Sequence, residues 1–435
     1  DHEVNLKILL GLAERRGELD RPGRDELLRE VTGDVVAHVL YDSFLQAQIL
    51  AEEVVVAKTR MFAYEDLMVA LESSDLLARE SEQLPGTEEI AERRRGGRGF
   101  ERPELALLLA YAKRALALDL LGSAFCNDPW LERDLREYFP SRVVERFGHL
   151  LAEHPLRGEL VAMVNANTVV NSLGPTFVSQ LVGERGAEPA DVVRAFRIAR
   201  EVTGAGARWD AVEGLPRTTD RRVVTELMLG VDRLVEAAAR WYLGHDDGTG
   251  LEQRIASDEA PFARLIAVLP DIGSDEWRAQ RRATADKLIA KGIPAEVAWA
   301  HALTHELLQA PDIIAVARQT GRPVESVAEA FNLLAARLDI VWLLGALDEL
   351  PQPTRTQRWA VQAVREDCLD ALAELARCAL VEADDDAAAA VDAYLDARAA
   401  LGRRLATVTA SLTVEGTGDL PALMLAVRAV RALAG

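Results

Sequence analysis

Few residues in this chain combine the type and the spacing that chemistry needs. His301 and His305 stand four apart, the separation that sets two imidazoles on one helical face as zinc ligands. A zinc-protease pattern needs Glu directly after the first His, where Ala302 stands; Glu306 follows the second instead. With no cysteine or third histidine nearby, an amphipathic helix accounts for the pair better than a metal does. Asp384, Asp385 and Asp386 raise the idea of a metal–diphosphate site. Three consecutive acids fan around a helix, however, and the next ones, Asp392 and Asp396, face no second acidic motif. Gly204-Ala205-Gly206 lacks the third glycine of a dinucleotide loop, since Trp209 occupies that place, and no strand precedes it. Cys126, Cys368 and Cys378 show neither metal-ligand spacing nor a partner for thiol catalysis.

Two polar groupings remain. Arg93, Arg94, Arg95, Arg98 and Arg102 form a basic run that reads first as a solvated loop and second as a dock for phosphate or an acidic surface. Between Glu159 and Leu173, Asn165, Asn167, Thr168, Asn171 and Ser172 interrupt an apolar series. Asn167 and Asn171 share one helical face, and buried amides must find partners. That stripe is expected to hydrogen-bond a neighbouring helix rather than a ligand.

The elements that must position these residues are helices. From Arg24 to Ile49, Leu27, Leu28, Val31, Val35, Val36, Val39, Leu40, Phe44 and Leu45 recur at spacings of three and four, with a break expected near Thr32-Gly33. Pro103 suits the first turn of a long helix. Breaks fall at residues 84–99, 127–129, 204–206, 245–250, 270–273, 351–353 and 416–421, leaving helical runs of roughly 15–30 residues. No alternating series builds a sheet, and no fixed period suggests a repeat solenoid. Glu382 to Leu412 reads as one long solvated helix, acidic at its start and basic later. The expected class is all-α, a multi-helix bundle array with no significant sheet.

The composition agrees. The chain has 435 residues, 49% of them apolar, with 70 alanines against 5% aromatics, which favours packed helix over disorder and strand. Fifty basic against 70 acidic residues give −20, which argues against nucleic acid and anionic membranes as partners. Three cysteines make no disulfide framework and fit a reducing compartment. The most apolar stretch, Leu105 to Phe125, carries Lys113, Arg114 and Asp119 near its middle and does not read as a membrane span. Asp1 in place of an initiator methionine points to a segment of a longer polypeptide.

Several short blocks, in order, carry a resemblance. They are Asp1-His2-Glu3-Val4-Asn5-Leu6-Lys7-Ile8-Leu9-Leu10, then Leu27-Leu28 with Thr32, Asp34-Val35 and Gln46. Arg102-Pro103-Glu104-Leu105-Ala106 follows, running on through Tyr111-Ala112-Lys113, and then Tyr138-Phe139-Pro140. His154-Pro155-Leu156-Arg157 leads to Asn167, Val170-Asn171, Gly174 and Thr176-Phe177-Val178, and later come Arg194-Ala195-Phe196, Trp241, Asp312-Ile313, Trp342-Leu343 and Arg358-Trp359. Over about residues 1–380 this series resembles the large bacterial NAD-specific glutamate dehydrogenases. Two positions depart from the family: Gly158, where a second Arg is usual, and Ser172, where Arg often follows the Asn.

The resemblance implies oxidative deamination of L-glutamate to 2-oxoglutarate and ammonia with NAD as acceptor, in a large cytoplasmic homo-oligomer. It implies that the catalytic Lys, the proton-shuttling Asp and the NAD turn lie upstream, and that Lys7, Lys58, Lys113, Lys287 and Lys291 match none of those motifs. No catalytic, cofactor-binding or metal residue is therefore assigned to this chain. Its partner is expected to be its own upstream catalytic domain, with His2 and Asn5 packing towards the substrate domain. Arg102, Glu104, Tyr111, Lys113, Arg157, Asn167 and Asn171 are the expected interface or hydrogen-bond network. The expected divisions are 1–20, the edge of the catalytic domain; 21–100, 101–205 and 206–380, three helical segments; and 381–435, a long helix and tail. The rival reading is a free-standing acidic helical scaffold or adaptor.

Overall fold

A computed structural model describes residues 2–352, 354–381, 386–415 and 419–435. Among them lie 24 α-helices, four short 3-10 turns and no strand. The chain divides into two compact units: residues 1–198 with 243–252, and residues 199–242 with 253–435.

The first unit is built on two helices, Arg102–Leu121 and Arg157–Leu173, packed along each other. The first of these starts where the sequence demands it. Pro103 occupies its opening turn, and the Glu101 and Glu104 side chains cap it reciprocally. Leu105, Leu108, Leu109 and Leu116 are buried on the first, and Leu160, Val161 and Val169 on the second. A Cβ at Gly158 would sit 3.3 Å from Leu121, so the departure to glycine there permits a close approach between these two helices. Helix Thr32–Val56 packs on both of the central pair, Met61–Ser73 packs on Arg102–Leu121, and His2–Arg15 packs against Thr32–Val56. The break expected near Thr32-Gly33 falls at Val31, between Arg21–Glu30 and Thr32–Val56.

In the second unit, Arg355–Val381 is the spine of one layer, with Leu420–Ala434, Val324–Arg337 and Ala310–Thr320 packed on it. A second apolar cluster joins Val212, Leu227, Met228, Leu288, Ile293 and Ala298. No single helix among the described residues is long and apolar enough to cross a membrane.

Two expectations need correction. The stretch expected as one long solvated helix is Ala387–Ala397 and Ala399–Glu415, separated at Arg398. Val391 and Tyr394 are buried there, and the Tyr394 hydroxyl donates to the Leu433 carbonyl at 2.8 Å, so packing rather than solvation sets its geometry. Asp384 and Asp385 lie outside the described residues, whereas Asp386 accepts from the Ala388 and Ala389 amides as an N-cap. Most of the basic run is also no loop: Arg93, Arg94 and Arg95 end the helix Thr87–Arg95 and Arg102 opens the next, while Arg98 lies in the connection between them. Arg93 pairs with Glu89 and Glu104 at 2.6 and 2.8 Å, and Arg94 lies 3.9 Å over the Phe62 ring, so local acids and an aromatic face take up these cations.

Candidate functional site

The residues picked out at the N-terminus meet in one cluster of the first unit. The Asn5 amide donates to the Tyr138 hydroxyl at 3.0 Å, and the Asn5 carbonyl lies 3.1 Å from His154 Nε2. The His2 ring stacks on Tyr138 with centroids 4.2 Å apart, and its Nε2 sits 3.1 Å from the Asp42 carboxylate. Burial pushes the Tyr138 phenol up, with donation from Asn5 acting the other way, and burial pushes the His154 imidazole down. Lys113, on the central helix Arg102–Leu121, is pulled down to about 8 by burial, while the Asp42 carboxylate pulls it back up. Asp42 thus faces both an imidazole and a desolvated amine. This arrangement can position side chains and exchange protons. Asn5 itself is buried and turned to Tyr138, so any part it plays beyond the unit runs through that phenol.

The remaining expected residues do not gather at one place. Glu104 is the helix cap and the partner of Arg93. Arg102 donates to the Ala47 carbonyl at 3.3 Å. The Tyr111 hydroxyl donates to Glu82 at 2.6 Å, a bond that pushes its pKa up. Arg157 donates to the Cys126 carbonyl at 2.9 Å. Of the asparagines, Asn165 is the fully buried one: it donates to Asp134 at 2.8 Å and to the Val161 carbonyl. Asn167 and Asn171 are half-buried, and the Asn171 carbonyl oxygen has no partner among the described residues.

Sequence reasoning did not single out the ion pair beneath that stripe. Asp134 and Arg197 are both buried and 2.7 Å apart, and Arg197 also lies over the Trp130 ring. They are 63 residues apart in the chain, so no local spacing announces them. Glu53 is likewise buried, paired with Arg60 at 3.2 Å and bonded by the Tyr64 hydroxyl. Gly174, at φ +83°, lies against that carboxylate, where a Cβ would overlap it. His301 and His305 fall on two short helices, Ala295–Ala302 and Thr304–Leu307, rather than on one face of a single helix.

The most unusual surface belongs to the helix Thr32–Val56. Val36, Val39, Leu40, Tyr41 and Phe44 lie exposed along it, Leu40 at 64% and Phe44 at 47%. Contiguous apolar exposure of this kind marks an interaction face.

Comparison with known proteins gives that helix a context. Residues 97–432 match the family model described as glutamate dehydrogenase, C-terminal. Residues 1–53 match the bacterial NAD-glutamate dehydrogenase catalytic domain. The NAD-specific glutamate dehydrogenase of Halomonas elongata is 32% identical over 98% of this chain and 27% of its own length. The enzyme of that name from Pseudomonas aeruginosa is 33% identical over 84% of the chain and 23% of its own length. The one from Mycobacterium tuberculosis is 28% identical over 99% of the chain. The chain spans about a quarter of the length of the relatives it matches. The ordered blocks, the all-helical architecture and these matches agree: the chain belongs to the glutamate dehydrogenase family, in the part described as C-terminal.

Proposed function

We propose that this chain is the helical C-terminal region of a large NAD-dependent glutamate dehydrogenase, where it braces the catalytic domain and is not catalytic alone. The reaction is the deamination of L-glutamate with NAD and water to 2-oxoglutarate, ammonia and NADH, carried by residues that precede this chain. One observation carries the reading. The exposed apolar face at Val36, Leu40 and Phe44 lies within the stretch that matches a catalytic domain, and the relatives that the chain matches are about four times as long. A face of this kind needs a cover, and the rest of the catalytic domain is the one that the matches favour.

On this reading the chain works in the cytoplasm within a homo-oligomer, and NAD binds upstream. His2 stands at the edge that packs towards the substrate domain, held by Tyr138 and Asp42. Asn5 acts as a positioning residue for Tyr138. A helical brace of this sort affects rate by setting how far the catalytic domain opens.

The test compares Leu40→Glu in this chain alone and in the whole polypeptide. The isolated chain is expected to keep its stability and to form no NADH from glutamate and NAD. The whole enzyme is expected to lose most of its glutamate-dependent NADH formation. Turnover by the isolated chain, or an unaltered whole enzyme, overturns the proposal.

A further inference from the structure

The second unit contains a cleft of about 550 Å³ with mostly apolar walls. Leu227, Val231, Phe262, Ile266, Trp299 and Leu303 line it. That size and lining are typical of small-molecule sites, which add a few placed polar groups to an apolar body. Here Arg208 and His301 stand among the polar lining residues, with Thr203, Thr304 and three acids.

Arg208 is half-buried, and its Nε donates to the Thr203 carbonyl at 2.9 Å. No carboxylate among the described residues pairs with its guanidinium. Burial alone shifts it, downward, with no acid acting in the other direction. Arg208 is thus a desolvated arginine on a cleft wall with no acid partner among the described residues. Of the acids that line the cleft, Glu201 is engaged by Arg200 at 2.7 Å, and Glu259 and Glu296 are exposed. His301 is seated against Gly230, where a Cβ would come within 2.9 Å of Nδ1. That nitrogen is buried and has no hydrogen-bond partner among the described residues. Burial pushes the imidazole pKa down, with the Glu226 carboxylate, 4.0 Å from Nε2, acting the other way.

We propose that this cleft binds a small amphipathic monocarboxylate, its apolar body on the Leu227, Phe262 and Ile266 wall and its carboxylate on the Arg208 fork. A planar guanidinium matches a carboxylate with two parallel donors. Three acids on the cleft wall weigh against a dianion such as a phosphate monoester. The site lies within one unit and stands independently of the dehydrogenase reading.

The test is calorimetric titration of the whole 435-residue chain at pH 7.5 with 4-phenylbutyrate and with the neutral 4-phenylbutyramide. The acid is expected to bind at one saturable site at least tenfold tighter than the amide. Arg208→Gln is expected to erase that preference, while Arg264→Gln, an exposed cation paired with Glu325, is expected to keep it. A photoreactive diazirine analogue of the acid provides a readout that needs no variant: it is expected to label peptides that contain residues 201–212, 227–234, 259–270 or 296–304. Equal binding of acid and amide, no saturable binding, labelling elsewhere, or a preference that survives Arg208→Gln in a folded variant overturns the proposal.

Discussion

Two long helices of nearly equal length differ in where they put their apolar residues. Thr32–Val56 has 25 residues, of which Ile49, Glu52 and Glu53 are buried. Arg221–Gly244 has 24, and buries Val223, Leu227, Met228, Leu234, Val235 and Tyr242 among others. Both sequences carry apolar residues at spacings of three and four. In the second helix that stripe meets the core of its unit; in the first it meets solvent, and the buried positions are two acids and an isoleucine near the C-terminal end. Periodicity states which face is apolar and leaves open which body covers it. A core face inside a self-contained unit and an interface face towards another body look alike as sequence.

The largest test of this contrast is a pair of truncations. Leu234→Ala removes a side chain that is 1% exposed and is expected to cost about 2–5 kcal/mol in denaturant unfolding of the chain. Leu40→Ala removes one that is 64% exposed and is expected to stay within about 0.5 kcal/mol. Equal losses would mean that both faces are covered within the chain itself.

The inward helix also touches a titrating group in its own unit. Trp241 donates its indole N–H to Asp312 at 2.6 Å. Burial pushes the Asp312 carboxyl up to about 7, with donation from Trp241 acting the other way and the Asp370 carboxylate adding to the rise. From its ordinary value of 3.8 to about 7, the folded chain keeps a proton that the unfolded chain has released. The stabilisation from this group is therefore complete below about pH 4 and drains away as pH rises through 7. Asp312→Asn is expected to flatten that slope and to leave the chain more stable than wild type at pH 8, by on the order of 1–4 kcal/mol. Thermal unfolding from pH 4 to pH 8 reads it, and parallel curves for the two proteins would place Asp312 in a wetter setting than its burial implies.

The all-helical class is legible in the sequence because alanine-rich stretches with a 3.6-residue period and Gly/Pro breaks point to one architecture. The cap at Glu101–Glu104 and the start at Pro103 are legible for the same local reason. What stays hidden depends on distance along the chain. Asp134 and Arg197 pair across 63 residues, and Asp42 reaches back to His2 across 40. Arg93 reads as a loop cation because its acid partner Glu104 lies beyond three glycines, Gly96, Gly97 and Gly99. The asparagine stripe shows that amides need partners, but its most buried member, Asn165, is the one whose partner comes from another helix. The resemblance supplies what period and spacing cannot: a reason for an apolar face with nothing on it.

The smallest expected effect bears on that face most directly. Asp42 lies on the outward helix, two positions beyond the exposed Leu40, and its carboxylate acts on Lys113, whose amine burial holds near 8. Competitive acetylation with peptide mass spectrometry across pH 6 to 11 is expected to give Lys113 a midpoint near 8. Asp42→Asn is expected to lower it further, because the carboxylate favours the charged amine. If the remainder of a catalytic domain covers Thr32–Val56, the same measurement on the whole polypeptide adds desolvation and moves the midpoint below its value in the isolated chain. An identical midpoint in both would leave the apolar face uncovered, and the contrast between the two helices would then need another cause.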